Sequence, residues 1–289
     1  MKTYDAVCAT SQTYELAEGP VWDRAGARLL WVDIPAGNVH EGLLEGESIT
    51  PTETHHVDLT VGAVASAPGG LLVAGHHDVW LVDESGICQV AQLIPEGKRR
   101  RLNDGKCDPA GRFLVGSLSL GEETGESLYV VDARRNVEVL DDDLQMSNGL
   151  AWSPDGGTLY SVDTTPGIVW SRSYDSASGV SGSRHEAFRV TGGLPDGICI
   201  DADGNLWVAV WGAGEVRLYT PDGRQIAVVG VPAPHTSCVT FAGPGLDQLV
   251  ITTARVDLVA EQLESFPDSG GLFIARVETP GLPAASWQP

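Results

Sequence analysis

The chain has 289 residues, of which 42% are hydrophobic and 20% charged, and its 18 basic against 39 acidic side chains give a formal net charge of −21. So negative a field repels phosphate backbones and argues against a nucleic-acid partner. No apolar run is long enough to cross a bilayer as a helix, which excludes that kind of membrane protein.

The N-terminus, Met1-Lys2-Thr3-Tyr4-Asp5, leads into no hydrophobic signal segment, so a cytoplasmic protein is expected. From there a pattern recurs six times. A small residue opens a short apolar run, a turn follows, and a second apolar run ends in a small or polar residue. The openers are Gly19, Gly62, Gly105, Gly149, Gly197 and Ser237, spaced 43, 43, 44, 48 and 40 residues apart. Glycine marks the turn at positions 26, 69, 111, 156, 204 and 245. Ser153-Pro154-Asp155-Gly156 and Asp201-Ala202-Asp203-Gly204 carry the strongest turn chemistry. The second runs are apolar, with β-branched or aromatic residues: Leu29-Leu30-Trp31-Val32, Leu71-Leu72-Val73, Phe113-Leu114-Val115, Leu159-Tyr160-Ser161-Val162, Leu206-Trp207-Val208 and Leu249-Val250-Ile251. Third strands follow, as in Val79–Val82, Leu128–Val131 and Leu272–Ala275, and weaker fourth strands fill the remaining length.

Four short strands per period of about 40 residues predict a propeller blade, and six periods predict an all-β, six-bladed β-propeller forming a single domain over residues 1–289. The last unit shows three clear strands before Pro280. The stretch from Tyr4 to Ala9 is therefore expected to join the last blade as its fourth strand and close the ring, leaving no open edge. The five cysteines (Cys8, Cys88, Cys107, Cys199 and Cys238) contain no C-x-x-C and are expected to be reduced thiols, three of them inside apolar runs.

Four openers are preceded by Glu18, Asp104, Asn148 and Asp196, where a strand interior ordinarily takes an apolar side chain. The first strand of a propeller blade is innermost, so these residues are expected to meet at one mouth of the central channel. Glu18, Asn148 and Asp196 offer two carboxylates and an amide carbonyl. Such hard donors suit one divalent metal ion, Ca2+, Mg2+ or Mn2+, and tolerate Zn2+.

The segments Ala17–Trp22, Arg101–Lys106, Ser147–Gly156 and Pro195-Asp196-Gly197 resemble the signature segments of the gluconolactonase family, which includes regucalcin (senescence marker protein) and luciferin-regenerating enzyme. The resemblance runs from about Glu15 to Val277. It implies a six-bladed propeller that binds one divalent metal through Glu18, Asn148 and Asp196 and hydrolyses lactones, commonly sugar lactones. Arg101 and Asn103 would hold substrate oxygens, and Asp196 is also the candidate general base. Glu122 or Glu123 stands where relatives often place a substrate-contacting acid. Asp104 either shares the proton-accepting role or shapes the Arg101–Gly105 loop by hydrogen bonding.

Other polar groups read more plainly. Lys98, Arg99 and Arg100 are expected to be solvated loop residues. His55-His56 and His76-His77 are expected at the surface, without a third metal ligand. His235, just before the sixth unit, is a further candidate for the pocket wall. The tryptophans are expected to fill the core between blades. No G-x-S-x-G elbow points to a serine hydrolase. The expected activity is hydrolysis of a small polar lactone such as an aldonolactone by a metal-dependent hydrolase. Hydrolysis of another ester (an organophosphate or a specialised lactone) and a non-catalytic calcium-binding propeller are the alternatives. The expected partner is the small-molecule substrate, and no obligate protein partner is evident.

Overall fold

Each of the six units forms an antiparallel sheet in the computed structural model, which describes residues 1–121 and 124–288. Blade one comprises Ala17–Asp23, Arg28–Asp33, Asn38–Glu45 and Ser48–His56. The inner strands of the remaining blades are Ala63–Ala67, Arg100–Cys107, Ser147–Trp152, Leu194–Ile200 and Thr236–Ala242. Each inner strand packs on the next, and that of blade six packs on that of blade one. The molecule is an all-β, six-bladed propeller. Helix among the described residues amounts to Ala260–Ser265, in the long connection between the second and third strands of blade six.

The inner strands of blades one, four and six are buried along their full length, because a neighbouring blade covers each face. An outer strand such as Val137–Leu144 is largely exposed. The turns form as their chemistry requires: Gly156 N–H donates to the Ser153 carbonyl at 2.7 Å and Gly204 N–H to the Asp201 carbonyl at 3.0 Å. Asp201 Oδ1 also accepts from the backbone N–H of Asp203 and Asn205, which locks the loop from inside.

The N-terminal segment divides between two blades. Val7–Cys8 pairs antiparallel with Leu272–Arg276, placing Val7 opposite Ile274 and Cys8 opposite Phe273. Lys2–Asp5 instead runs parallel along Gln225–Gly230, making blade five a five-stranded sheet. The contact on blade six is thus two residues long, shorter than the stretch from Tyr4 to Ala9 expected to serve it. The step between blades is pinned by Ala6 N–H to Gly230 O at 2.9 Å and Ala9 N–H to Leu272 O at 2.8 Å.

At the opposite end of the chain, residues 280–288 cross the channel at the mouth farther from the unit openers. Ala202 N–H bonds to Pro280 O, Gly281 N–H to Leu246 O, Trp287 N–H to Ser66 O and Gln288 N–H to Gly111 O. Leu282 to Ala285 face a cavity of about 520 Å³, which Pro20, Lys106, Cys199 and Thr240 also line. All five cysteines are unpaired, and Cys107, Cys199 and Cys238 are buried.

Candidate metal centre

In five of the six inner strands the register against the second strand shifts near the unit opener: between Glu18 and Val21, Leu102 and Gly105, Ser147 and Leu150, Pro195 and Ile198, and Thr236 and Cys238. A bulge leaves a residue out of the ladder and re-aims its side chain. The shifted stretches are those carrying Glu18, Asn103 with Asp104, Asn148, Asp196 and Ser237. The inner strand of blade two keeps unbroken register, and apolar Val61 precedes its Gly62.

Neighbouring inner strands approach closely here, which is why the openers are small. A Cβ on Gly149 would stand 2.5 Å from the Asp196 carbonyl oxygen, and one on Gly62 2.5 Å from that of Asn103. At Gly197 it would stand 2.1 Å from Cys238 Sγ. Glycine brings the backbones together, and the polar residue beside it is turned toward the channel.

Glu18, Asn103, Asp104, Asn148 and Asp196 are all buried. Three carboxylates from blades one, three and five therefore share a mouth that excludes most water. Burial pushes Glu18 well above the usual carboxylate range, and Asp196 and Asp104 push it further. Burial and Asp104 do the same to Asp196, against the pull of Arg101. Asp104 is raised by burial, with Lys106 and the Gly105 N–H opposing. None of the three has an ion-pair partner within 4 Å among the described residues. Such a set is costly to bury unless a cation offsets it. The donors are hard oxygens, so the residues fit a divalent cation of the Ca2+, Mg2+, Mn2+ or Zn2+ kind.

A hydrogen-bond chain sets the amide groups. Arg101 Nη1 donates to Asn103 Oδ1 at 2.7 Å and to the Leu102 carbonyl at 3.0 Å. Asn103 Nδ2 donates to Asn148 Oδ1 at 3.0 Å and to the Ser147 carbonyl at 2.8 Å, and Asn148 Nδ2 donates to Thr164 Oγ1 at 2.9 Å. The Asn148 carbonyl oxygen is thereby turned toward blade three and keeps one lone pair for another partner. Asn103 spends its amide on protein partners. The Arg101 guanidinium is pulled down to about 10 by burial, although Glu18 and Asp196 act against the shift. It remains a cation at neutral pH.

Several contributors went unread in the sequence. Thr164 holds Asn148, and Asp33 and Asp163 accept backbone N–H groups from Leu16 and Met146 just ahead of two inner strands. Lys106 donates to the Ile198 carbonyl at 2.9 Å inside the channel. The buried Cys238 thiol lies against Gly197 and beside Glu18, and burial with the nearby acids pushes it well above its ordinary value. A repeat-equivalent aspartate at the end of a second strand was a readable signal for Asp33 and Asp163. Glu122 and Glu123 lie outside the described residues.

Two expectations need correction. Arg100 is not simply solvated: its Nη2 donates to the Thr124 carbonyl at 2.9 Å, and its Nε lies 3.3 Å from the buried Glu126 carboxylate. The sequence placed it in a loop, but it opens the inner strand of blade three. His55 lies in a strand, and its side chain gathers with Glu41 and Glu53. Arg28 also pairs with Glu41 and Asp23 there, so the cluster already carries a positive charge.

Residues 16–255 match the model of the SMP-30/Gluconolactonase/LRE-like region. The chain belongs to that family. This SMP-30/gluconolactonase-type chain is 34% identical over 283 residues to 6-deoxy-6-sulfogluconolactonase of Pseudomonas putida, with 95% of each chain covered. It is 31% identical over 285 residues to regucalcin of Xenopus laevis, with 94% of each covered. A solved structure described as a calcium-binding protein, regucalcin, from Agrobacterium tumefaciens matches the whole of both chains at a TM-score of 0.92 and 28% identity.

Proposed function

We propose that the protein is a divalent-metal-dependent lactonase that opens the ring ester of a small polar lactone, a sugar lactone foremost. The observation that carries this reading is the convergence of Glu18, Asn148 and Asp196, all buried, with Arg101 at the same mouth. The likeness to a sulfogluconolactonase along nearly the whole chain supports the choice of ester.

A cation held by Glu18, Asn148 and Asp196 would act as a Lewis acid on the ester carbonyl and stabilise the charge that develops on its oxygen. Arg101 presents donors to substrate oxygens from a fixed position, because its bonds to Asn103 and Leu102 hold the guanidinium. Asp196 accepts the proton of the attacking water. Water adds to the carbonyl carbon, the bond to the ring oxygen breaks, and that oxygen takes the proton from Asp196 and leaves as a hydroxyl. Asp104 bonds the Gly105 N–H at 2.7 Å, which favours its loop-shaping role.

A second reading, a calcium-binding propeller without turnover, is favoured by the description of the Agrobacterium structure. A panel of lactones followed by pH-stat, with and without exhaustive metal removal, separates the two. Metal-dependent acid release supports the lactonase. Calcium binding with no acid release from any lactone supports the second reading, and turnover that survives chelation overturns the metal role.

A further inference from the structure

The channel mouth has a second wall, built by blades five and six. Trp211 ends the second strand of blade five, where it stands opposite Leu194, two residues before Asp196. It also bridges to His235, the residue before the inner strand of blade six. The two rings stack with centroids 4.2 Å apart and planes at 15°. Two residues of strand amount to ~7 Å, so the pair stands just above the level of Asp196.

The wall is rigid. Thr236 Oγ1 donates to the Val210 carbonyl at 2.9 Å and accepts from the Val210 N–H at 3.1 Å, clamping blade five to blade six. Gly212 and Gly214 N–H both bond to the Pro234 carbonyl, and Ala254 N–H bonds to that of His235. His235 Nδ1 lies 3.1 Å from the Val256 carbonyl oxygen. A carbonyl only accepts, so Nδ1 carries the hydrogen, and the neutral ring is left with Nε2 as a bare acceptor. Nε2 has no protein hydrogen-bond partner among the described residues, and the ring is half-buried.

In a ring of six blades, blade six faces blade three, which supplies Arg101. One side of the mouth thus offers the donors of the Arg101 guanidinium, and the other offers an acceptor locked in place. A lactone whose ring bears hydroxyls can satisfy both, since a hydroxyl accepts from the guanidinium and donates to the imidazole.

We propose that His235 Nε2, held in register by Trp211 and Val256, accepts a hydrogen bond from a hydroxyl of the bound lactone and so selects hydroxylated rings over unsubstituted ones. This rests on the lactonase reading. The experiment compares glucono-1,5-lactone with δ-valerolactone in the metal-loaded full chain, using His235→Phe, which keeps an aromatic face against Trp211 but has no acceptor. One lost neutral hydrogen bond predicts a rise in KM for the hydroxylated lactone of about three- to ten-fold, with kcat little changed. KM for δ-valerolactone and the metal affinity measured by titration should stay as in the unaltered protein. His235→Gln, which restores an acceptor, should recover part of the loss. His235→Ala carries the same expectation as the Phe variant should the latter fail to fold. Equal KM changes for the two lactones, no change in either, or a lost metal affinity would each overturn the proposal. If the unaltered protein opens neither lactone, the lactonase reading itself has failed.

Discussion

Glu18, Asp104 and Asp196 all have pKa values raised above the ordinary carboxylate range, with burial the first cause in each. A raised folded-state pKa means the folded protein holds the proton more tightly than the unfolded chain. The associated stability is present below the unfolded value, about 4, and is lost as pH rises through the folded one. Metal-stripped Glu18→Gln should therefore match the unaltered protein in Tm near pH 4 and exceed it by a growing margin toward pH 8. A margin independent of pH would show that Glu18 is not desolvated in the way its burial indicates. Substitution should also separate ligand groups from substrate groups. Losing the Arg101 guanidinium removes a charge-assisted hydrogen bond worth roughly 1.5–3 kcal/mol. Arg101→Ala should thus lower kcat/KM by about one to two orders of magnitude while sparing metal affinity. Asp196→Asn keeps an oxygen donor but removes a charge from the proposed ligand set and the proposed base, so it should weaken both metal binding and turnover. Titrating metal into the two variants checks the assignment, and equal losses would show that the boundary is misplaced.

At the scale of the elements, the legible features were those that repeat. An acid or amide beside a small opener recurs often enough to place Glu18, Asn148 and Asp196 at one mouth, since the same strand position in each blade has the same place in the ring. The bulges that turn these side chains inward left no trace, because a shift of register is a relation between two strands. Lys106 and Thr164 were equally hidden: each acts through a partner in another strand or blade that no motif announces. The N-terminal segment was half legible. A missing strand in the last unit pointed to blade six, but nothing marked Lys2–Asp5 as a parallel addition to blade five. That division yields a graded prediction. Deletion through Asp5 removes only the fifth strand of blade five and should lower Tm while leaving the protein soluble. Deletion through Ala9 also strips the outer pairing of blade six and exposes the edge of Leu272–Arg276, so soluble yield should collapse. Light scattering and thermal melts of the two truncations test this, and identical behaviour would mean that the blade-six contact contributes nothing to closure.

The molecule as a whole is closed asymmetrically: the mouth that gathers the acids faces outward, and the other is crossed by residues 280–288. This strap is held by backbone bonds to blades two, three, five and six, and is anchored by Trp287, which is only 1% exposed and belongs to the same buried cluster as Leu72, Val90 and Phe113. It therefore ties together blades on opposite sides of the ring, a connection that the sheets themselves do not make. Trp287→Ala leaves a cavity the rigid blades cannot collapse to fill, at a cost of about 3–5 kcal/mol. The proposed metal ligands lie in other segments, at the far mouth, and no hydrogen bond joins a strap residue to them among the described residues. Trp287→Ala should accordingly lower Tm strongly and let an apolar dye reach the cavity of about 520 Å³, while metal affinity at a temperature where the variant is folded stays near that of the unaltered protein. Thermal melts, dye fluorescence and metal titration on the same sample decide it. A variant that loses metal binding while its melt is unchanged would mean that the floor of the channel sets the geometry of the acids, and that strap and site are one unit.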